Sequence, residues 1–313
     1  MRVLITGCGG FIGRHLSSHF LTRGDSVYGI VRERGDGPCG VTLHQTELNN
    51  PAALDRCLAE SRPDVVYHLA SRTHWQLRDD LSDAAQSLQD DVGNLIILLA
   101  AVARSDTPLR AFVRAGTLAE YGPGPAPFIE SQREQPTNTY GAALAAGTHY
   151  CQMLQSRLPF PVVTARLALV YGPGQSENFL LPTLVSNCLN GIQTGVQRPD
   201  DRRDLIDIRD TVRALVLLGD APPKGASILN VVTGIAPTMR EVAELVVAAT
   251  GCDPALVRGN PDPVSGGTVD LRGSPDLMRE LAGWFAEIPL ASGIENLVAW
   301  YRGGAWNDGK EEA

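Results

Sequence analysis

The apolar run Val3-Leu4-Ile5 passes directly into Thr6-Gly7-Cys8-Gly9-Gly10-Phe11-Ile12-Gly13, and helical apolar spacing then continues to residue 22. Glycines at positions 7, 10 and 13 share one explanation. The first lets the chain turn tightly after a strand, the second lets backbone amides approach a ligand, and the third lets a helix pack close to the sheet. Amides at the start of that helix have no intrahelical partner and favour negative charge, so the expected occupant is a diphosphate. Gly7, Gly10, Phe11, Ile12 and Gly13 are the candidate contacts.

The first half continues in the same rhythm. Apolar runs at 27–31, 65–69, 111–113 and 162–165 read as buried strands, and helical stretches at 51–60, 88–103 and 140–157 lie between them. Strands alternating with helices imply parallel pairing through crossovers, hence an α/β fold with a doubly wound parallel sheet of Rossmann type. Proline and glycine then crowd 172–174 and 222–225. The expected organisation is a dinucleotide-binding domain over 1–167, joined again by 196–232, with 168–195 and 233–313 forming a smaller C-terminal cap.

Composition narrows the partners. With 27 basic against 35 acidic residues the net charge is -8, and no basic cluster suits a phosphate backbone, so nucleic acid is not expected. Nor is a membrane, because no apolar run approaches the length of a span. Six widely spaced cysteines without neighbouring histidines read as reduced thiols in a cytoplasmic chain that binds no metal. The helical stretches at 88–103 and 140–157 are rich in Ala, Leu and Ile and suggest a homodimer.

The Gly-x-x-Gly-x-x-Gly spacing resembles the extended branch of the short-chain dehydrogenase/reductase superfamily. That resemblance implies a nicotinamide dinucleotide. After the second strand the chain reads Gly29-Ile30-Val31-Arg32-Glu33-Arg34. Arg32 and Arg34 favour the extra phosphate of NADP, whereas Glu33 keeps NAD as the alternative. Asp64 to Ala70 is similar to the family strand beside the adenosine, which brings in Leu69 and Ala70, while His68 reads as a buried strand residue. The segment Ala115 to Gly122 looks like the active-site loop, with Thr117 contacting the substrate oxygen. Pro136 to Gly141 resembles the segment that presents the catalytic tyrosine, here Tyr140, which would also meet the cofactor.

Four residues later the family has a lysine, and this chain has Leu144. A replacement cation must come from another element, with Arg72 or Arg114 conceivable. Without the lysine, Tyr140 is expected to remain a proton donor and to be a poor base. Leu118 and Ala119 stand where similar 4,6-dehydratases carry an acid/base pair, and Glu120 is one residue out of step and should face away.

In the second half, Arg166 to Gln175 resembles a family motif in which Leu169 replaces an asparagine. Asn178, Arg203 and Arg272 match places where the family holds the nucleotide diphosphate, and the closing pattern is loosely similar to GDP-4-keto-6-deoxymannose reductases and GDP-mannose dehydratases. The resemblance implies an NADP(H)-dependent nucleotide-sugar reductase acting on a 4-keto sugar, with Thr117 polarising the carbonyl and Tyr140 protonating it. A 4-epimerase, a reductase of another small carbonyl compound and a catalytically impaired dinucleotide-binding protein are the alternatives.

Overall fold

The computed structural model describes residues 1–33, 37–73, 75–105, 107–259 and 269–303. Along the first half run β1 (Arg2–Thr6), α1 (Phe11–Thr22), β2 (Ser26–Val31), β3 (Thr42–Gln45), α2 (Pro51–Ser61) and β4 (Val65–His68). Next come α3 (Ser82–Ser87), a π-helical turn (Leu88–Gly93), α4 (Asn94–Arg104), β5 (Ala111–Thr117), a short helical turn (Leu118–Glu120), α5 (Thr139–Leu154) and β6 (Val162–Leu167). The second half holds β7 (Leu169–Tyr171), α6 (Leu180–Leu189), β8 (Thr194–Val196), β9 (Arg202–Arg203), β10 (Leu205–Asp207), α7 (Ile208–Asp220) and β11 (Ile228–Val231). It ends with α8 (Met239–Thr250), β12 (Val257–Gly259), β13 (Asp270–Leu271), α9 (Asp276–Ala282) and α10 (Leu290–Gly303).

Seven parallel strands among the described residues form the main sheet in the order β3-β2-β1-β4-β5-β6-β11. This is the expected doubly wound Rossmann-type sheet. Alternation within strands explains its two covered faces: Val3 and Ile5 of β1 join one buried cluster with Leu16, Phe20, Val212 and Leu215, whereas Leu4 between them faces Leu54, Leu58, Leu95 and Leu98. Helices α1 and α7 therefore cover one side, and α2, α4 and α5 the other.

Two strands escape the sequence reading. β3, Thr42-Leu43-His44-Gln45, is an edge strand with a single apolar residue, so it carries no core signal. β11 is buried but only four residues long, and it reaches β6 after the chain has passed through the cap. The stretch at 88–103 is likewise not one regular helix, since a π-helical turn precedes α4.

A third buried cluster gathers α6, α8 and α10 around Leu184, Val185, Val242, Val246, Ile294 and Leu297. Short parallel pairs, β10 with β7, β12 with β8 and β13 with β9, stitch it together. Return of α7 to the main sheet depends on a small residue, because a β-carbon on Gly219 would stand 1.9 Å from the phenol oxygen of fully buried Tyr67. Gly219→Val should lower the unfolding free energy by about 2–3 kcal/mol through overpacking, read from denaturant midpoints; an unchanged midpoint would show that α7 docks without this contact.

Candidate functional site

Strand order reverses between β1 and β4, and a groove of about 1190 Å³ opens there at the carboxyl ends of the strands. Its floor is a close backbone approach. Gly7 has φ +73°, and a β-carbon on it would lie 2.9 Å from the Ala70 nitrogen. A β-carbon on Gly13 would lie 2.1 Å from the Gly7 oxygen. Thr6 ties the two strand ends together, its hydroxyl meeting His68 Nδ1 at 2.8 Å and accepting from the Ala70 amide at 3.3 Å. Burial and the nearby Arg114 charge push His68 down to about 3, so it stays neutral as a buried strand residue.

Gly10 precedes α1 without a side-chain cap, leaving the first-turn amides open toward the groove. Gly7, Gly10, Leu69 and Ala70 line that groove, while Phe11 and Ile12 pack their side chains against the core. Arg32 is exposed at the rim, and Arg34 lies outside the described residues. Thr46, Glu47 and Leu48 also line the groove. The sequence reading missed them because it missed β3, the strand that delivers them. These features fit a dinucleotide: glycine-cleared backbone and free helix-start amides for its phosphates, and a polar trough beyond.

Thr117 and Tyr140 are brought together from two elements. Thr117 ends β5 and caps the turn that follows, accepting from the Ala119 amide at 3.2 Å while its own amide donates to Glu120 Oε1 at 3.0 Å. Asn138 caps α5 by accepting from the Gly141 amide at 2.7 Å, which sets Tyr140 in the first turn. Gly141 is needed for the approach, since a β-carbon there would be 2.5 Å from the Ala119 oxygen. The Thr117 hydroxyl lies beside the Tyr140 phenol and favours its ionised form. Burial first, then the charges of Glu120 and Asp91, push the Tyr140 phenol above its usual range, and Arg114 and Thr117 oppose them. Asp91 stands on the π-helical turn and accepts from Ser71 Oγ at 2.7 Å and Ser87 Oγ at 3.1 Å. The Thr139 hydroxyl donates to Asp83 Oδ2 at 2.9 Å, which joins the groove to the start of α5.

Leu144 is buried and apolar. Of the two cations named from the sequence, Arg72 is exposed over the Trp75 ring at 4.8 Å, whereas Arg114 is buried beneath α5. Glu120 does face inward. Its Oε2 accepts from Arg166 Nε at 2.9 Å and from the Thr148 hydroxyl at 2.8 Å, and Arg166 also binds Glu134.

The three diphosphate candidates belong to the cap side and do not border the groove. Arg203 is held by Asp201 Oδ2 at 2.8 Å and by the carbonyls of Arg202 and Val269. Arg272 contacts Asp270 Oδ2 at 3.2 Å and keeps a buried Nε without a partner. Asn178 is exposed just before α6. Among the described residues no cluster could hold a metal ion, and no helix is long and apolar enough to cross a membrane.

The Glu120–Arg166 pair makes its own prediction. Arg166→Met would strand a buried carboxylate and cost about 3–5 kcal/mol of stability at neutral pH. The deficit should shrink as pH falls, because the stranded carboxyl can then take up a proton. Denaturant titrations at two pH values check both the size and the sign.

Residues 3–231 match the NAD dependent epimerase/dehydratase family. The chain is 32% identical over 262 residues to the dTDP-6-deoxy-L-talose 4-dehydrogenase (NAD(P)(+)) of Kitasatospora kifunensis, covering 80% of this chain and 79% of that one. It is 25% identical over 309 residues to the GDP-6-deoxy-D-mannose reductase of Pseudomonas aeruginosa, covering 95% and 96%. Its fold superposes with a TM-score of 0.84, at 27% identity and covering 97% and 100% of the two chains, on the UDP-glucose 4-epimerase of Thermus thermophilus in complex with NAD. Taken with the glycine-floored groove and the Thr117–Tyr140 pair, the match over residues 3–231 establishes that the chain belongs to the NAD dependent epimerase/dehydratase family, of the extended short-chain dehydrogenase/reductase type.

Proposed function

We propose that this enzyme is an NADP(H)-dependent reductase of a 4-keto nucleotide sugar. The observation that carries the reading is the Thr117–Tyr140 pair, in which a half-buried phenol is held above its ordinary pKa beside a hydroxyl. A phenol so placed is protonated throughout the neutral range, the state a proton donor requires. The bound dinucleotide supplies the hydride. Thr117 polarises the carbonyl, and the Tyr140 hydroxyl transfers its proton to the oxygen as charge develops there. An epimerase must first take a proton from an alcohol, and the same raised phenol makes a poor base for that step.

Arg32 at the groove rim supports NADP over NAD, since a guanidinium fork matches a phosphate dianion; Arg34 would add to it. Arg272, with an unpartnered Nε, is the strongest of the proposed diphosphate contacts, followed by Asn178, while Arg203 would have to leave Asp201. Relatives named as nucleotide-sugar enzymes support the substrate class. The exposed apolar side chains of Leu88, Tyr150 and Met153, on the π-helical turn and α5, support a homodimer through that face. Six free thiols fit a reducing, cytoplasmic setting.

The test is NADPH oxidation with a panel of 4-keto-6-deoxy nucleotide sugars. Tyr140→Phe should lower kcat by about 100-fold or more, with NADPH affinity nearly unchanged; equal rates in native protein and variant would remove Tyr140 from the chemistry. NADPH binding with no turnover on any substrate would indicate a binding protein instead.

Two further outcomes follow from charge. Arg32→Ala should weaken NADPH by about tenfold, the loss of one charge-assisted phosphate contact, and leave NADH nearly unaffected in fluorescence titrations. Because the Tyr140 pKa is raised, the rate of ketone reduction should show no decline attributable to this group until beyond about pH 10, the ordinary tyrosine value. A decline with a midpoint near neutral pH that Tyr140→Phe abolishes would contradict it.

A further inference from the structure

Two arginines are fully buried among the described residues, and they are treated differently. Arg166 is neutralised by Glu120 and Glu134. Arg114, 1% exposed, forms no ion pair among the described residues. Its guanidinium is held by neutral oxygens, with Nη1 donating to the Thr148 hydroxyl at 2.9 Å and Nη2 donating to the Leu144 carbonyl at 2.9 Å. Burying a cation without a counter-charge is expensive, and such groups concentrate where chemistry uses the charge.

The position of that charge is specific. Arg114 stands on β5 three residues before Thr117, and its side chain runs under α5 to the turn that follows Tyr140. Room for it is made by Gly147, where a β-carbon would be 2.5 Å from Nη2. We propose that Arg114 is the positioning residue for Tyr140, its unpaired guanidinium supplying from beneath α5 the positive charge that faces the phenol.

The surroundings explain the need. Tyr140 is faced by Glu120 from the turn after β5, by Asp91 from the π-helical turn, by Thr117 at the end of β5, and by Arg114. Both carboxylates resist formation of the phenolate. Glu120 is already compensated by Arg166, and Asp91, buried against two serines, is faced by Arg114 without a direct ion pair, so the Arg114 charge acts on both Asp91 and the phenol. After the O–H bond of Tyr140 breaks and its proton joins the substrate oxygen, the electron pair stays on the phenol oxygen. Arg114 stabilises that anion at a distance until solvent returns a proton. Leu144 offers no charge there, and only its backbone carbonyl meets this guanidinium.

This inference rests on the reading of Tyr140 as proton donor, so its test has one arm independent of turnover. A polyfluorinated tyrosine placed at 140 brings the phenol titration into the range where the protein stays folded, and fluorine NMR then reads its midpoint. Arg114→Gln, which keeps N–H donors and loses the charge, should raise the midpoint by about one unit; Arg114→Lys should hold it near the native value. With NADPH and the 4-keto sugar panel, Arg114→Gln should lower kcat about 10-fold to 100-fold while KM stays within about twofold, the signature of an interaction made in the transition state. Arg114→Lys should recover most of the loss. Should Arg114→Gln fail to fold, the double variant Arg114→Met with Leu144→Lys moves the cation onto α5 and should keep the midpoint close to native. Equal midpoints in native and Arg114→Gln proteins, a Lys variant no better than the Gln variant, or a double variant whose midpoint rises by a unit or more would each overturn the assignment. A shifted midpoint without turnover in the native protein would sink the reductase and leave Arg114 standing, whereas turnover with an unshifted midpoint would do the reverse.

Discussion

The backbone at Gly7 and the backbone at Ala70 come so close that no side chain can separate them, and the position of every other functional group follows from that contact. It sets the ends of β1 and β4 side by side at the point where the strand order reverses. The Thr6 hydroxyl then binds both His68 and the Ala70 amide, so the two strand ends move as one. With Gly13 pressed against the Gly7 oxygen, α1 starts close enough to the sheet for its free amides to line the cleft. Any β-carbon at Gly7 or Gly13 would open this corner and displace the amides.

A second constraint governs the surroundings of Tyr140. The chain places three charged groups, Glu120, Asp91 and Arg114, in low dielectric around one phenol, and their arrangement rather than their number decides its behaviour. Glu120 and Arg166 cancel as a direct pair. Asp91 is restrained by serine hydroxyls, and burial pushes its carboxyl upward. Arg114 alone of the two buried arginines lacks a direct carboxylate partner among the described residues. Thr148 links the two halves, since its hydroxyl accepts from Arg114 and donates to Glu120. Charge state and orientation at Tyr140 are thus set by residues from β5, α5, β6 and the π-helical turn together.

The segment between β8 and β11 holds buried charges of its own. Asp204 is fully buried and pushed up to about 6 by burial, yet it accepts from the Thr233 hydroxyl and from the amides of Thr233 and Gly234. It thereby fixes the chain immediately after β11. Asp201 does similar service for Arg198, Arg203 and the Val269 amide. Arg203 is consequently a structural tether, whereas Arg272 keeps a buried Nε without a partner.

Much of the core of this protein was legible in its linear order. Glycine spacing after β1 has one economical explanation, and near-continuous apolar runs at 27–31, 65–69 and 162–165 announce buried strands because both faces of a parallel sheet are covered. β3 was not legible, because an edge strand with one apolar residue has no periodicity to detect; with it went Thr46, Glu47 and Leu48 of the groove. Thr117 and Tyr140 could be named from motif, but their approach to each other depends on Gly141 clearing the Ala119 oxygen across the fold. The absence of a cation at Leu144 was plain in the sequence. Which arginine stands nearby was not, since Arg72 and Arg114 differ in burial and pairing, properties that arise when β5 is laid beneath α5. Local order determines which residues can turn, cap or alternate; only the packed structure decides which charges are left unpaired in low dielectric, because pairing is a matter of distance between elements far apart in the chain.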